Sequence, residues 1–185
     1  MAHRWIAGRF NARFGRRAGV LLVGGAAEPL YTPGSGRYPA LIRYTHDYAR
    51  SALHEIAHWL LARPDRRRLV DYGLWYRPPP RSAAEQARFY AAEVPVQALE
   101  MLLSEAAGVP FRFSADNPGI DHDTARLSFE SRVRARFLEL CRRATGRGAP
   151  LPEETAAALD ALNPAWRGAL GERLRDAERE PTETR

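Results

Sequence analysis

The chain has 185 residues, 45% of them apolar, a composition typical of one globular domain with a sizeable core. Its net charge is +6 and all 28 basic residues are arginine, which favours an acidic partner over a basic one. The single cysteine, Cys141, excludes an intramolecular disulfide and a cysteine-based zinc site. The single cysteine, together with the lack of a predicted signal peptide or membrane span, indicates a cytoplasmic protein.

The first half of the chain predicts a short helix, two strands and a longer helix. Apolar residues recur at helical spacing over 4–14, and short apolar runs at 20–23 and 40–44 predict strands. The longer helix is predicted from about 48 to 62. It should end before Pro64, because proline disfavours helical geometry in the residue that precedes it.

The second half is predicted to be helical apart from an aromatic, β-like segment at 69–76. Ser82 and Glu85 form the pattern of a capping box, which indicates that a helix begins there and runs to about 107. Proline inside a helix removes a hydrogen bond, so Pro95 is expected to kink this helix or to divide it in two.

Three further helices are predicted by apolar periodicity, over 124–143, 153–162 and 166–175. Cys141 lies on the apolar stripe of the first and is expected in the core. The predicted fold is α+β: a helix-rich single domain over 1–185 with a small β-sheet. A helical extension is expected from about residue 146.

The predicted 48–62 helix contains the motif His54-Glu55-Ile-Ala-His58. Residues four apart lie on one helix face, so the two imidazoles can bind one metal ion. Glu55 lies beside them and can act on a metal-bound water or support a ligand. The flanking residues are apolar, and burying such polar groups is costly unless something coordinates or pairs them. The motif therefore predicts a zincin-like metal helix.

A catalytic metal site needs a third protein ligand and open positions. The third histidine of the longer metalloprotease motif is absent after Trp59. Glu93 lies in an apolar context on the next long helix and is the carboxylate that we select. Glu85 and Glu100 are interpreted as capping or solvated residues.

Two histidines and one glutamate are compatible with two chemistries. With zinc, Glu55 would take a proton from a metal-bound water that attacks an amide, as in a metallopeptidase. With Fe(II), the same ligands leave open positions for dioxygen and a substrate. Spacing alone does not separate these hypotheses. A third hypothesis, a nucleic-acid binder that uses the arginine clusters, is disfavoured by the metal motif.

Several segments resemble the elongation factor P hydroxylase family of bacteria, in the family's order and over roughly residues 10 to 140. These segments are Glu28–Tyr31, Tyr48–Trp59, Leu69–Tyr76, Glu93–Leu99, Ala106–Phe111 and Asp116–Asn117. The His-Glu-x-x-His motif alone would be unspecific, whereas the ordered set is quite specific.

The resemblance implies a metal held by His54, His58 and Glu93, which agrees with the ligands selected above. It implies hydroxylation of a lysine of elongation factor P after that lysine has received a β-lysyl extension. Elongation factor P is acidic, which suits a basic chain, and neither a membrane nor a direct nucleic-acid partner is expected. The resemblance favours Fe(II) as the metal and dioxygen as co-substrate, with zinc possible in purified protein.

On this hypothesis Glu55 orients the metal site or relays a proton, since no hydrolytic base is required. His46 would line the pocket, or else make only a local hydrogen bond at the helix entry. A further set of residues could receive the cationic extended lysine through carboxylate and cation–π contacts. This set is Asp71, Tyr72, Trp75 and Tyr76. The alternative role of the aromatic residues is core packing.

Overall fold

The computed structural model describes residues 2–74, 80–114 and 123–179. Helices dominate, and three short strands form one sheet, so the fold is α+β as predicted. The helices and strands are α1 (Ala2–Phe10), α2 (Arg16–Ala18), β1 (Val20–Ala26), β2 (Leu30–Thr32), β3 (Ala40–Thr45), α3 (Ala49–Leu61), α4 (Ala83–Ala107), α5 (Asp123–Ala144), α6 (Glu153–Leu162) and α7 (Trp166–Arg179). A π-helical turn over Asn11–Gly15 joins α1 to α2.

The sheet has the order β1-β3-β2, with β1 parallel and β2 antiparallel to β3. Along β3, Ala40, Ile42 and Tyr44 are buried in alternation, as expected for a strand with one face on the core. Asn11 supports β1 from outside the sheet: its side chain accepts a hydrogen bond from the Leu22 N–H and donates one to the Leu22 carbonyl. The two predicted strands are therefore confirmed.

Helix α3 lies at the centre of the fold and carries the metal motif. It packs against β3, α1 and α4, so most of its residues are buried. Ser51, in its first turn, accepts a hydrogen bond from the Thr45 N–H and thereby fixes the strand end to the helix. The helix ends at Leu61, close to the limit that Pro64 predicted.

Helix α4 runs unbroken through Pro95, so the predicted division into two helices is wrong. The predicted capping box is present, with Ser82 and Glu85 bonding to each other's backbone N–H groups. Gly108 ends the helix with a φ of 66°, a left-handed conformation that glycine adopts readily. Residues 96–100 are all buried, and α4 packs along α3 and α5. We infer that this packing outweighs the hydrogen bond that proline removes.

The C-terminal helices contribute to the same hydrophobic cluster as the sheet and α3. Their buried members are Phe129, Val133, Leu140, Cys141, Ala158, Leu159, Ala161, Leu162, Trp166 and Leu170. Cys141 is fully buried, as predicted. The predicted boundary of an extension near residue 146 stays a prediction. Over the three ranges described, no helix has both the length and the apolar character needed to cross a bilayer.

The segment after α3 is formed by short turns and is not β-like, which corrects the prediction for 69–76 up to Leu74, where the first described range ends. Two short 3₁₀ turns cover Arg66–Arg68 and Val70–Gly73. In the second turn Asp71 and Tyr72 have φ values of 46° and 58°. A left-handed conformation costs a non-glycine residue about 1–2 kcal/mol. The segment therefore depends on contacts from elsewhere in the fold.

Arg67 connects this segment to two helices. Its guanidinium lies 3.8 Å from the centroid of the Trp59 ring of α3, and its Nε donates to the Trp59 carbonyl. Its two terminal nitrogens bind both carboxylate oxygens of Glu154 on α6, at 3.1 and 2.7 Å. The Arg67 carbonyl accepts a hydrogen bond from the Tyr31 hydroxyl.

Candidate metal centre

Three potential metal ligands converge between α3 and α4. His54 Nε2 lies 3.1 Å from His58 Nε2. Glu93 faces both rings, with one oxygen 3.7 Å from His54 Nε2 and the other 3.6 Å from His58 Nε2. One donor atom from each residue fits within a span of 4.8 Å. The structure therefore brings together the three residues that the sequence predicted as ligands.

These separations suit a shared metal ion. Nitrogen and oxygen donors bind transition metals at about 2.0–2.2 Å, which places neighbouring donors roughly 3.0–3.6 Å apart. The three measured separations are close to that range. Two imidazoles and a carboxylate are also a donor set that such metals prefer. The residues thus fit a metal cofactor, and their geometry does not distinguish iron from zinc.

Glu100 is part of this site, so its interpretation as a solvated or capping residue is wrong. Its side chain is buried and its Oε2 lies 2.9 Å from His54 Nδ1. An ionised carboxylate only accepts hydrogen bonds, so the Nδ1–H of His54 donates to it. When the ring is neutral, as it must be to bind a metal, the Nε2 lone pair of His54 is then directed towards the other two ligands.

Gln97 fixes the Glu93 carboxylate through the same oxygen that faces His54. Its Nε2 donates to Glu93 Oε2 at 3.1 Å and to the Ser114 carbonyl at 2.8 Å. Its Oε1 accepts a hydrogen bond from the Ser114 N–H at 3.2 Å. The Gln97 side chain is fully buried, and these bonds fix both its amide orientation and the position of the Glu93 carboxylate.

The two histidines differ in protonation. Burial alone would lower the pKa of His54, but its hydrogen bond to Glu100 and the negative charges of Glu93 and Glu100 raise it to about 9. Burial and the nearby positive charge of His54 lower the pKa of His58 to about 3. At neutral pH the metal-free site therefore holds one imidazolium, on His54, and a neutral His58.

Glu55 is buried within the electrostatic reach of this cluster. Burial raises the pKa of its carboxyl, His54 opposes this change, and the carboxylates of Glu93, Asp71 and Glu100 reinforce it, so that the pKa reaches about 7. Such a group can gain or lose a proton near neutral pH. The predicted role of Glu55 in supporting a ligand or relaying a proton stays a prediction.

Tyr72 lies beside His58, with ring centroids 6.4 Å apart and planes inclined by 18°. Its other face stacks on Tyr31 at 4.3 Å. Asp71 stabilises the turn, because its Oδ1 accepts a hydrogen bond from the Tyr31 N–H at 2.8 Å. The Tyr72 hydroxyl is buried without a hydrogen-bond partner among the described residues. Trp75 and Tyr76, also predicted to bind substrate, lie outside the described residues.

His46 lies apart from the three ligands. It is exposed in the turn between β3 and α3 and has a φ of 47°. Its backbone bonds to Gly25 and Ala26, and its ring lies 5.5 Å from that of Tyr48. Its predicted place in the pocket stays a prediction.

The sequence profile of the elongation factor P hydroxylase family matches residues 9–170. The chain belongs to this family. The matched range includes α3, α4 and every residue of the metal centre, and it extends through α6.

A relative named "Elongation factor P lysine hydroxylase", from Haemophilus influenzae, is 45% identical over 109 residues. That segment covers 58% of this chain and 61% of the relative. The alignment thus spans less than two thirds of the relative's length. Both the family and the relative carry the name of a hydroxylase, and neither name describes a peptidase.

Sequence analysis missed Glu100 and Gln97, although their spacing carries a signal. Glu93, Gln97 and Glu100 are separated by four and three residues, which places them on one face of a helix. The polar face of an amphipathic helix normally meets solvent, and this expectation led to the wrong interpretation of Glu100. Here the polar face turns inward, towards the histidines.

Proposed function

We propose that this protein is an enzyme that hydroxylates a lysine side chain of elongation factor P. The observation that carries the proposal is the convergence of His54, His58 and Glu93 in a member of this family. The proposed substrate lysine already bears a β-lysyl extension. We place the reaction in the cytoplasm, where translation factors act, with elongation factor P as the protein partner.

We propose Fe(II) as the resident metal, held by the two Nε2 atoms and the Glu93 carboxylate. Two histidines and one carboxylate leave open coordination positions, an arrangement typical of non-haem Fe(II) oxygenases. When bound, Fe(II) supplies the redox chemistry that lets dioxygen react with a C–H bond. Zinc fits the same donors and would occupy them in a form without that chemistry.

The remaining residues of the site are proposed to transfer protons, attract the substrate and exclude water. Glu55, with its pKa near 7, is proposed to hold or release a proton at its carboxyl oxygens beside His54. Asp71 is exposed and carries a carboxylate that can attract the ammonium groups of the extended lysine. Tyr72 forms a wall next to His58, and its buried ring excludes water from that side.

Mass spectrometry of elongation factor P tests the proposal directly. Protein loaded anaerobically with Fe(II) is mixed with β-lysylated elongation factor P and an excess of a reductant such as ascorbate, and air is then admitted. One oxygen atom of dioxygen enters the C–H bond, and the reductant supplies the two electrons that convert the other atom to water. We expect the modified lysine to gain one oxygen atom. Elongation factor P without the β-lysyl extension and protein loaded with Zn(II) serve as controls, and both should give little or no product.

His58→Ala provides the matched variant, because it removes one metal ligand and leaves α3 helical. Its reaction should yield no oxidised lysine. The proposal is wrong if the Fe(II)-loaded protein produces no oxygen gain under air, or if His58→Ala produces as much as the unaltered protein. Cleavage of elongation factor P that disappears in Glu55→Gln would instead identify a peptidase.

A further inference from the structure

One face of α4 presents three polar side chains towards the histidines of α3. Glu93, Gln97 and Glu100 follow at intervals of four and three residues, and all three are buried. Their neighbours on the helix include buried apolar residues such as Val96 and Leu99. A buried polar side chain is costly unless it is paired, so each member of this face should have a specific partner.

Each of these three residues has a different partner. Glu93 approaches the Nε2 atoms of both histidines. Gln97 bonds to Glu93 and to both backbone polar groups of Ser114. Glu100 bonds to His54 through the opposite ring nitrogen, Nδ1.

We infer that Glu100 is a positioning residue that orients His54 and raises the affinity of the site for metal. A neutral imidazole has one N–H and one lone pair, and the bond to Glu100 keeps the proton on Nδ1. The lone pair on Nε2 is thereby aimed at the metal position. The same bond restricts rotation of the ring about its χ2 angle, so less conformational freedom is lost when the metal binds.

A carboxylate behind a metal-bound histidine also makes the imidazole a stronger donor, because it stabilises the partial positive charge that develops on the ring. Loss of such a partner typically reduces metal affinity by about 10–100-fold. The inference rests on the proposed metal centre and is independent of which protein or residue is hydroxylated.

Metal titration of Glu100→Gln tests this role. Glutamine keeps the size of the side chain but removes the charge, so its oxygen is a weaker partner for the Nδ1–H of His54. We expect the dissociation constant for Co(II) or Zn(II), measured against a competing chelator and corrected for the protons released on binding, to rise by about 10–100-fold. The visible absorption spectrum of the Co(II) form should change as well, because it reports the geometry and strength of the ligands.

Glu85→Gln is the matched control. It removes the same charge from the same helix, and glutamine still satisfies the capping-box pattern. Its metal affinity and Co(II) spectrum should equal those of the unaltered protein. A purely structural role for Glu100 predicts a lower thermal midpoint of the metal-free protein with an unchanged dissociation constant and spectrum, and that result would overturn the inference.

If Glu100→Gln does not fold, Glu100→Asp provides the second test, since it withdraws the carboxylate from Nδ1 by one methylene and preserves its charge. An unchanged affinity in this variant would also contradict the inference. If the unaltered protein itself binds no metal with His54 and His58, the proposed centre fails as a whole. That outcome is distinct from a failure of Glu100 alone.

Discussion

The metal centre and the segment over residues 66–74 adjoin each other but are stabilised in different ways. The proposed metal ligands lie on two regular helices, and Glu100 and Gln97 contact them by direct hydrogen bonds. The adjoining segment contains consecutive left-handed residues and depends on long-range contacts with Tyr31. We infer that metal affinity and segment stability are largely separable properties of this site.

The largest expected effect is the loss of metal affinity when the proposed ligand Glu93 is removed. Glu93→Ala should weaken metal binding by more than about 100-fold, because loss of an outer-shell partner alone costs 10–100-fold. Isothermal titration or chelator competition would measure it. Glu139→Ala, which removes an exposed carboxylate of α5, is the control. Equal affinities of the two variants would show that Glu93 is not a ligand.

The pH dependence of metal binding should follow from His54. In the metal-free protein its pKa is about 9, so below that pH the metal must displace a proton from the ring. The apparent affinity should therefore fall by about tenfold for each pH unit between 9 and 7. Calorimetric titration in buffers of different ionisation enthalpy measures the number of protons released on metal binding, which should be positive below pH 9. An affinity that is constant over this range would contradict it.

Asp71 provides the complementary test in the adjoining segment. Asp71→Ala removes the acceptor for the Tyr31 N–H, which should lower the free energy of unfolding by about 1–3 kcal/mol. Metal affinity should change by less than about threefold, since Asp71 touches no ligand in the described contacts. Urea denaturation and metal titration would measure the two quantities.

Asp71→Asn is the matched variant for this prediction. Asparagine keeps an acceptor oxygen and tolerates left-handed backbone geometry, so most of the stability should return. A large loss of metal affinity in Asp71→Ala, with the fold intact, would show that the two regions are coupled.

The smallest expected effect concerns Cys141, which belongs to neither region and is fully buried in α5. Burial raises the pKa of its thiol to about 12, and the charge of Glu105 adds to this change. The thiolate is the reactive form, so a thiol reagent at neutral pH should label the folded protein very slowly. Labelling of the urea-unfolded protein gives the reference rate. Equal rates would contradict burial of Cys141.

The contrast between the metal centre and the segment over residues 66–74 also explains how much could be predicted from the sequence. Local signals predicted the helix that carries His54 and His58, both strands and the candidate ligand Glu93. These signals are apolar periodicity, capping residues and motif spacing. These signals act within a few residues. The corresponding parts of the structure lie close to their predicted limits.

The errors occur where distant residues decide the local structure. Asp71 and Tyr72 have left-handed φ values, and the Asp71 side chain accepts a hydrogen bond from the backbone of Tyr31, 40 positions away. Glu100 is buried because α4 packs against α3, α5 and α6. The sequence of α4 alone does not show which of its faces these helices cover. Pro95 lies in a helix that tertiary packing holds together.

The position of Arg67 has a consequence for attempts to shorten the protein. Its guanidinium is held between the indole of Trp59, one residue after the second motif histidine, and the carboxylate of Glu154 on α6. A chain cut before α6 would lose this bidentate partner and expose the apolar surface that Leu159 and Leu162 of α6 now cover. Trimming from the C-terminus would therefore disturb α3 although none of the proposed ligands is removed, and a minimal folded fragment should retain α6.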